Sequence, residues 1–428
     1  MRKTILVALI YFPALLFSNS KTDSLIQLLP KLSGEEKIQA LLELSDELKS
    51  TDSHLALDYA ETGLKLSQEQ ELIDLESRLY KTIGSIHSFQ NNYEKSNFNY
   101  EKALELYRKA DNANGIARVY ANLGVNSSDL GEYDTAMAYF EKSRLLFETL
   151  KEAFFVFWVD LRIANLHYRK GNFDEALEHY QILLDTAKSR NLTVSEATVL
   201  SNIGRVHLKK GAYAKALELY YQTLAVYDSL DNTYSKANLL NDIGIVYQNL
   251  GFYEEAIKTY RESHKGFEFI DNQRGMGMIN ANLASTYNEM EEFDSGYVCI
   301  KKALKIYEDL GVKSNGNLLI TLGQILTNTN RLDSADLIVN QALNVFSELG
   351  QTEGVTRAKV QLGKIYLTQN KLEESEKVGL ESLADLEVSR NLDWLKMNCE
   401  LLAEVYERKG NPEKALYYKD RTISITDS

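Results

Sequence analysis

A small residue preceded by Ile or Leu recurs along this 428-residue chain at intervals of 39 or 40 positions. We refer to these positions as anchors, and nine of them are Gly84, Gly124, Ala164, Gly204, Gly244, Ala284, Gly323, Gly363 and Ala403. A strict period of this length is typical of stacked helical repeats, in which each unit buries its apolar faces against its neighbours. Ser45 lies 39 residues before Gly84 and extends the series to ten, so the sequence predicts an array over residues 35–428.

Two other positions keep a fixed distance from each anchor. The residue twelve places later is small in every case: Ser96, Ala136, Ala176, Ala216, Ala256, Gly296, Ala335, Ser375 and Ala415. The residue seven places later is Gly or Asn except at Glu291: Asn91, Gly131, Gly171, Gly211, Gly251, Asn330, Asn370 and Gly410. Gly and Asn tolerate a positive φ angle, which indicates a tight turn between two helices, and small residues let those helices approach closely. Each unit is therefore predicted to be helix, turn, helix.

With these spacings the chain resembles the tetratricopeptide repeat (TPR) family, whose pattern runs Leu-Gly, then Tyr, then a small residue, then Phe. The fifth repeat shows it as Ile203-Gly204, Tyr213, Ala216 and Tyr220. The resemblance covers about residues 35–428 and implies an all-α fold, a right-handed TPR superhelix (α-solenoid) of about ten helix-turn-helix repeats. The unit here has 40 residues instead of 34, and we expect the additional residues to lengthen the helices. Units of this length resemble periplasmic TPR sensor regions of bacterial signalling proteins, namely histidine kinases and maltose-activator-like regulators.

The N-terminus has the pattern of a secretory signal peptide. Two basic residues are followed by an apolar run over residues 4–17 and then by Ser18-Asn19-Ser20. The run has 14 residues, whereas about 20 are needed to span a bilayer as a helix. We therefore predict a signal peptide over residues 1–20, then a leader with a short capping helix over residues 21–34. The alternative is an uncleaved anchor. After signal removal, the chain is expected to be exported, to the periplasm, without membrane insertion.

Composition and motifs disfavour several classes of function. The formal net charge of −13 repels phosphate backbones and anionic lipids, so nucleic acid is not an expected partner. His87, His167 and His207 each follow an anchor by three residues, where other repeats carry Tyr, and we interpret them as packing residues. No histidine or cysteine spacing typical of a metal site accompanies them. The sequence thus predicts a non-enzymatic protein with no cofactor and no bound metal.

A binding groove is the favoured candidate site. In the TPR family the first helix of each unit lines a concave groove, and the resemblance implies which positions face it. They are Asn165, Tyr168, Arg169, Arg205, Lys209, Asn238, Asn241, Gln248, Asn249, Asn288 and Asn317. An amide side chain offers both a donor and an acceptor, which is what a peptide backbone requires. The alternative is a solvated polar face that holds no ligand.

Aromatic residues replace small ones at the start of the fourth repeat: Phe154, Phe155, Phe157 and Trp158. They predict either a repacked joint between repeats or an exposed patch that docks a partner. Taken together, these features predict an exported TPR protein that mediates protein–protein or peptide binding through its concave groove. The alternative function is that of a stand-alone sensor half of a bacterial signal-transduction system.

Overall fold

The computed structural model describes residues 18–312, 315–389 and 392–426. These residues form 21 α-helices and one short 3-10 turn, Leu29–Lys31, and they contain no strand. The helices are α1 (Ser18–Leu28), α2 (Gly34–Leu48), α3 (Ser53–Glu69), α4 (Ile73–Phe89), α5 (Tyr93–Lys109), α6 (Ala113–Asp129), α7 (Tyr133–Thr149), α8 (Ala153–Lys170), α9 (Phe173–Ser189), α10 (Thr193–Lys209), α11 (Tyr213–Ser229), α12 (Thr233–Asn249), α13 (Tyr253–Phe269), α14 (Gln273–Glu289), α15 (Phe293–Asp309), α16 (Gly316–Asn328), α17 (Leu332–Glu348), α18 (Thr352–Thr368), α19 (Leu372–Ser389), α20 (Leu392–Arg408) and α21 (Pro412–Thr426).

The even-numbered helices from α2 to α20 are the first helices of ten repeats, and the odd-numbered helix that follows each one is its second helix. The all-α solenoid expected from the anchor spacing is therefore confirmed. The predicted signal peptide lies outside the described residues up to position 17, and α1 begins at Ser18. None of the helices described is long and apolar enough to cross a membrane.

The 40-residue period is explained by helix length. In the fifth repeat, α10 and α11 have 17 residues each, and connections of three residues follow both of them. A helix of 17 residues is about 25 Å long. The extra residues of each unit therefore lengthen the helices, as expected, and the loops stay short.

The turn inside each of the second to tenth repeats is closed by a residue with positive φ. All eight predicted Gly and Asn positions adopt it, from Asn91 at 57° to Gly410 at 70°, and Glu291 does so as well at 61°. After α10, Gly211 N–H donates to the Leu208 carbonyl and Ala212 N–H donates to the His207 carbonyl. Two otherwise unpaired carbonyls at the helix end are thereby satisfied.

A second row of positive φ angles, between repeats, was not predicted. It comprises Glu71, Asp111, Lys151, Asn191, Asp231, Asp271, Gly311 and Gly350. Six of the eight are charged or amide-bearing residues that also occur in helices, so their residue types did not indicate a turn. The two rows of turns together set the alternation of first and second helices along the array.

Four of the six glycine anchors, Gly84, Gly124, Gly204 and Gly244, are required because a ring from the second helix lies on them. A Cβ atom built on Gly244 would lie 2.5 Å from Tyr260 Cε1, and one built on Gly124 would lie 2.6 Å from Phe140 Cε1. The ring residue follows its anchor by sixteen positions. Where the anchor is Ala284, the sixteenth residue is the smaller Ile300. First and second helices thus approach closely because the two positions match in size.

The chain divides into two compact units, Met1–Val119 and Tyr120–Ser428, with the boundary inside α6. The core of the first unit contains Ile38, Leu42, Leu79 and Ile86 from its first helices. In the second unit, successive repeats contribute successive core clusters, as expected for a solenoid. Within this unit Gln351 Nε2 donates to the Asp129 carbonyl across 3.4 Å, so the start of α18 lies beside the end of α6.

Candidate functional site

Four of the predicted groove residues line a single cavity in the second unit. Asn165, Tyr168 and Arg169 come from α8, and Arg205 comes from α10. The cavity measures about 250 Å³, and its remaining walls are Val125, Ser128, Phe140, Arg162, Leu166, Tyr180 and Asn202. We call it the inner cavity. Arg162 and Asn202 were not among the predicted groove residues.

Arg169 is held in place by the end of α6. Its Nη1 donates to Asp129 Oδ1 at 2.6 Å and to Ser128 Oγ at 3.0 Å. The arginine side chain remains 41% exposed, and the aspartate side chain is 33% exposed. The ion pair therefore orients the guanidinium while part of it stays accessible.

Arg205 is held from the next repeat in the same way. Its Nε donates to Asp242 Oδ2 at 2.7 Å, and its Nη1 lies 3.4 Å from Asn202 Oδ1. The adjacent carboxylate raises the pKa of Arg205 above its usual value. Burial raises the pKa of Asp242, against the opposing effect of the guanidinium. Asp242 is thus a buried partner that fixes a partly exposed arginine.

The tyrosines of the inner cavity present polar groups beside these arginines. Tyr180 donates its hydroxyl to Asn165 Oδ1 at 2.5 Å. Burial raises the pKa of Tyr168 and of Tyr180, so both phenols stay protonated at neutral pH. The cavity therefore combines charged donors, neutral hydroxyls and amides with apolar walls, as small binding sites commonly do.

The other predicted groove residues do not line the inner cavity, and several of their amides are bonded to neighbouring repeats. Asn241 is 6% exposed and accepts from Asn282 Nδ2 at 2.6 Å. Asn288 accepts from Asn328 Nδ2 at 3.0 Å. Gln248 donates to Glu289 at 2.8 Å and accepts from the Tyr260 hydroxyl at 3.0 Å. These side chains link adjacent first helices.

The remaining predicted positions are more accessible. Asn238 donates to the Tyr234 carbonyl of its own helix at 2.9 Å. The other three are exposed: Lys209, Asn249 and Asn317. They lie on the same row of first helices as the inner cavity without lining it.

The four aromatic residues at the start of α8 have different surroundings. Phe157 is 3% exposed and belongs to the core, and Trp158 packs partly buried against the same cluster. Phe155 stacks on Phe147, with ring centroids 5.0 Å apart. Phe154 is 58% exposed. Partner docking at this position stays a prediction, and Phe154 is the ring that offers most surface for it.

A second cavity, which the sequence did not predict, lies on the opposite side of α8, between α7 and α9. This outer cavity measures about 570 Å³ and is lined by Phe157, Asp160, His167 and His179 among others. The two imidazole rings stack with centroids 4.9 Å apart. Burial and the neighbouring His179 lower the pKa of His167. Burial raises the pKa of Asp160, although Arg144 lies 2.7 Å away and opposes the shift.

At His167 the outer cavity is lined by a side chain shorter than the tyrosine of other repeats. In the sixth and seventh repeats the equivalent residues are Tyr247 and Tyr287. Tyr247 reaches Tyr221 of the preceding second helix with hydroxyl oxygens 2.7 Å apart, and Tyr287 accepts from Arg261 of the preceding second helix at 2.9 Å. The shorter His167 stacks on its own repeat instead. The space between α7 and α9 is therefore left open.

Both cavities border the fourth repeat. In this repeat the anchor and the residue sixteen positions later do not match in size as they do in the repeats described above. Its anchor is Ala164, yet the residue sixteen positions later is the full ring of Tyr180. In glycine repeats a Cβ at the anchor would lie about 2.5 Å from such a ring. The fourth repeat therefore combines a methyl group at the anchor with a full ring, a pairing that the glycine repeats do not have. This mismatch is the sequence signal that could have located the cavities.

Comparison with known proteins identifies the repeat type. A family profile described as tetratricopeptide repeat matches residues 75–149 and 155–229, and another of the same description matches residues 237–263. The chain carries tetratricopeptide repeats. The TPR matches include the fourth and fifth repeats, which contribute most of the inner cavity.

The TPR array is also similar to solved structures. A Rap protein complexed with competence and sporulation factor has 14% sequence identity and a TM-score of 0.56, over 92% of this chain and 98% of that one. The apo form of RapI has 12% identity and a TM-score of 0.53, over 63% of this chain and 97% of that one. At such identities the likeness concerns the fold alone. No curated protein sequence matches the chain.

Proposed function

We propose that this chain is a non-catalytic TPR binding protein that holds a peptide or a protein segment against the first helices of its second unit. The observation that supports this most is the inner cavity, where Asn165, Tyr168, Arg169 and Arg205 line one space. Hydroxyl, amide and guanidinium groups converge there on walls that are otherwise apolar, which is the composition of a recognition site. The amides of the later repeats are partly bonded to one another and would contribute less.

The fold neighbours support the same class of function. One of the similar structures is a Rap protein complexed with competence and sporulation factor, so an array of this kind can hold a partner. The residues that face a ligand differ between arrays, because the fold leaves the exposed positions of the first helices free to vary. The proposal therefore depends on the inner cavity of this chain.

Tyr168→Ala tests the proposal. Peptides extracted from the producing cells are passed over the immobilised protein, and the retained peptides are sequenced, synthesised and titrated by calorimetry. We expect Tyr168→Ala to weaken binding about tenfold or more, since aromatic side chains at the centre of an interface dominate its energy. Tyr221→Ala is the matched control, because Tyr221 lies on a second helix, is 48% exposed and does not line the inner cavity. Equal affinities for the wild type and Tyr168→Ala would contradict the proposal.

We further propose that the protein is exported and acts outside the cytoplasm, with residues 1–20 as its signal peptide. The support is the apolar run of 14 residues between basic and small polar residues. N-terminal sequencing after cell fractionation tests this: a chain that begins near Lys21 in the periplasmic fraction is expected, and an intact Met1 in the membrane fraction would contradict it.

A stand-alone sensor half of a signalling system is the second candidate function. It is favoured by the resemblance of the 40-residue unit to sensor regions of bacterial signalling proteins. In that case a kinase or regulator gene is expected beside the gene for this chain. Deleting the chain should then change the output of that regulator when the peptide ligand is present.

A further inference from the structure

The outer cavity is a second candidate binding site, separate from the proposed peptide site. It shares no lining residue with the inner cavity. Its volume of about 570 Å³ lies within the usual range for a site that holds a small molecule. All three surrounding helices supply apolar walls, which include Met137 of α7, Phe157 of α8 and Leu183 of α9. A ligand held there would therefore be distinct from a segment held at the inner cavity.

Other repeats of the chain show what fills the equivalent space. In the sixth repeat the hydroxyl of Tyr247 lies beside that of Tyr221 on the preceding second helix, and in the seventh repeat the hydroxyl of Tyr287 accepts from Arg261. Tyr221 and Arg261 are each the ninth residue of their helices, α11 and α13. A phenol ring thus lies between a first helix and the second helix before it, and its hydroxyl is satisfied at that ninth position.

In the fourth repeat the phenol is missing, but the position that would receive its hydroxyl lines the cavity. His167 replaces the tyrosine, and the ninth residue of α7 is Glu141. Glu141 is exposed, and it forms no hydrogen bond or ion pair with any other described residue. The other acid of the lining, Asp160, is already paired with Arg144. Glu141 is therefore the carboxylate of this cavity that remains available to a donor.

The fifth repeat also has a histidine at this position, His207, but it lacks the carboxylate. The ninth residue of α9 is Gln181, and its Nε2 donates to Asp185 of the same helix at 3.0 Å. Gln181 is neutral and already engaged, whereas Glu141 is charged and unpaired. The fourth repeat thus differs from the fifth by an acceptor that has no partner of its own.

From this arrangement we infer that the outer cavity binds a small phenolic molecule. The ligand hydroxyl donates to the carboxylate of Glu141, the ring lies beside His167 in place of the missing tyrosine ring, and substituents on the ring contact the apolar walls. A hydroxyl that donates to a carboxylate forms a charge-assisted hydrogen bond, which is stronger than one between neutral groups. A phenol ionises at about pH 10, so it carries this proton at neutral pH.

The volume of the cavity favours a whole small molecule over one tyrosine side chain of a protein partner. A single tyrosine ring occupies the corresponding space in the sixth repeat, whereas the outer cavity extends along α9 as far as Thr186 and Arg190. A ring with apolar substituents buries more of these walls than a bare ring does, and affinity rises with the apolar area removed from water.

The test uses the full chain and two matched ligands, 4-butylphenol and its methyl ether, 4-butylanisole. The ether keeps the ring and the apolar tail but has no O–H group. We expect the wild-type protein to bind the phenol about tenfold or more tightly than the ether, as measured by calorimetry or ligand-observed NMR. N-acetyltyrosinamide is titrated as a third ligand and is expected to bind more weakly than 4-butylphenol.

Four variants locate the ligand. Glu141→Ala should bind the phenol and the ether within about twofold of each other, whereas Glu262→Ala, at an exposed glutamate of α13 outside the cavity, should keep the preference of the wild type. His167→Tyr supplies the chain's own phenol and should abolish binding. His207→Tyr makes the same change outside the cavity and should leave binding unchanged. Thermal unfolding of the four variants without ligand establishes that they are folded.

Several results would overturn the inference. Equal affinities of the wild type for the phenol and the ether, or a preference that persists in Glu141→Ala, remove the hydrogen bond to the carboxylate. Unchanged binding by His167→Tyr places the ligand elsewhere. Tighter binding of N-acetyltyrosinamide than of 4-butylphenol assigns the cavity to a tyrosine of a protein partner. Absence of binding by all three compounds removes the phenol site and leaves the proposed peptide site, which Tyr168→Ala tests, unaffected.

Discussion

Arg205 of the fifth repeat and Asp242 of the sixth repeat form an ion pair of 2.7 Å, in which the arginine side chain is 41% exposed and the aspartate side chain only 7%. The two partners therefore contribute to stability unequally. Removing the arginine leaves a buried charge without its partner, whereas removing the aspartate leaves a cation that water can reach.

We expect Arg205→Ala to lower the free energy of unfolding by about 3 kcal/mol and Asp242→Asn by only about 1 kcal/mol. In Arg205→Ala the pKa of Asp242 rises further above that of the unfolded chain, so folding takes up a proton. The loss of stability should therefore shrink as the pH falls from 7 towards 4. Urea unfolding at several pH values measures both effects. A pH-independent loss would show that the pKa of Asp242 in the folded protein is no higher in that variant than in the wild type.

The anchor glycines give a second prediction. Gly244→Ala should lower the free energy of unfolding by about 1–3 kcal/mol, because the new Cβ meets the ring of Tyr260 and overpacks the core. The natural pair Ala284 and Ile300 suggests the remedy. We expect the double variant Gly244→Ala, Tyr260→Ile to lose less free energy of unfolding than the two single variants lose in sum, as measured by a double-mutant cycle. If the losses of the two single variants simply add, the proposed steric conflict between a Cβ at position 244 and the Tyr260 ring is contradicted.

The turn residues give a third prediction. Gly211 has a φ of 72° and Asn370 has a φ of 60°. A β-branched residue is strongly disfavoured at such angles, whereas Gly adopts them without strain. Gly211→Val should therefore destabilise by about 1–3 kcal/mol, and Asn370→Gly should change the melting temperature little. Gly211→Asn is the control, since Asn occupies the same turn in other repeats, and it should be tolerated better than Val.

The outer cavity gives a fourth prediction. His167→Tyr restores the residue of the sixth and seventh repeats, and filling the space should raise the free energy of unfolding by about 0.5–2 kcal/mol. An unchanged or lower stability would show that the cavity is not closed by the tyrosine.

The same variant should alter the pH dependence of stability. The folded-state pKa of His167 lies below its usual value, so the unfolded chain binds more protons near pH 6. Wild-type stability should then fall as the pH decreases from 7 to 5. His167→Tyr should reduce that fall, and a denaturation midpoint measured at pH 7.5, 6.0 and 5.0 compares the two proteins.

The repeat architecture could be predicted from the sequence because each rule is local. A small anchor and a Gly or Asn seven residues later report helix contact and a turn, and the positive φ at Asn370 and Gly211 confirms it. The site was harder to predict because it depends on pairs of residues in different repeats. Asn241 occupies a groove position by spacing, yet its side chain is buried against Asn282, which stands 41 residues later. A side chain's availability for a ligand is decided by such neighbours.

The inner and outer cavities lie on opposite sides of the same helix, α8, which has 18 residues and is about 27 Å long. A displacement of α8 towards either cavity makes that cavity smaller and the other one larger. A ligand that draws α8 inward through Arg169 would therefore also change the size of the outer cavity at His167, which lies two positions earlier in the chain. This change would need no rearrangement of the other repeats.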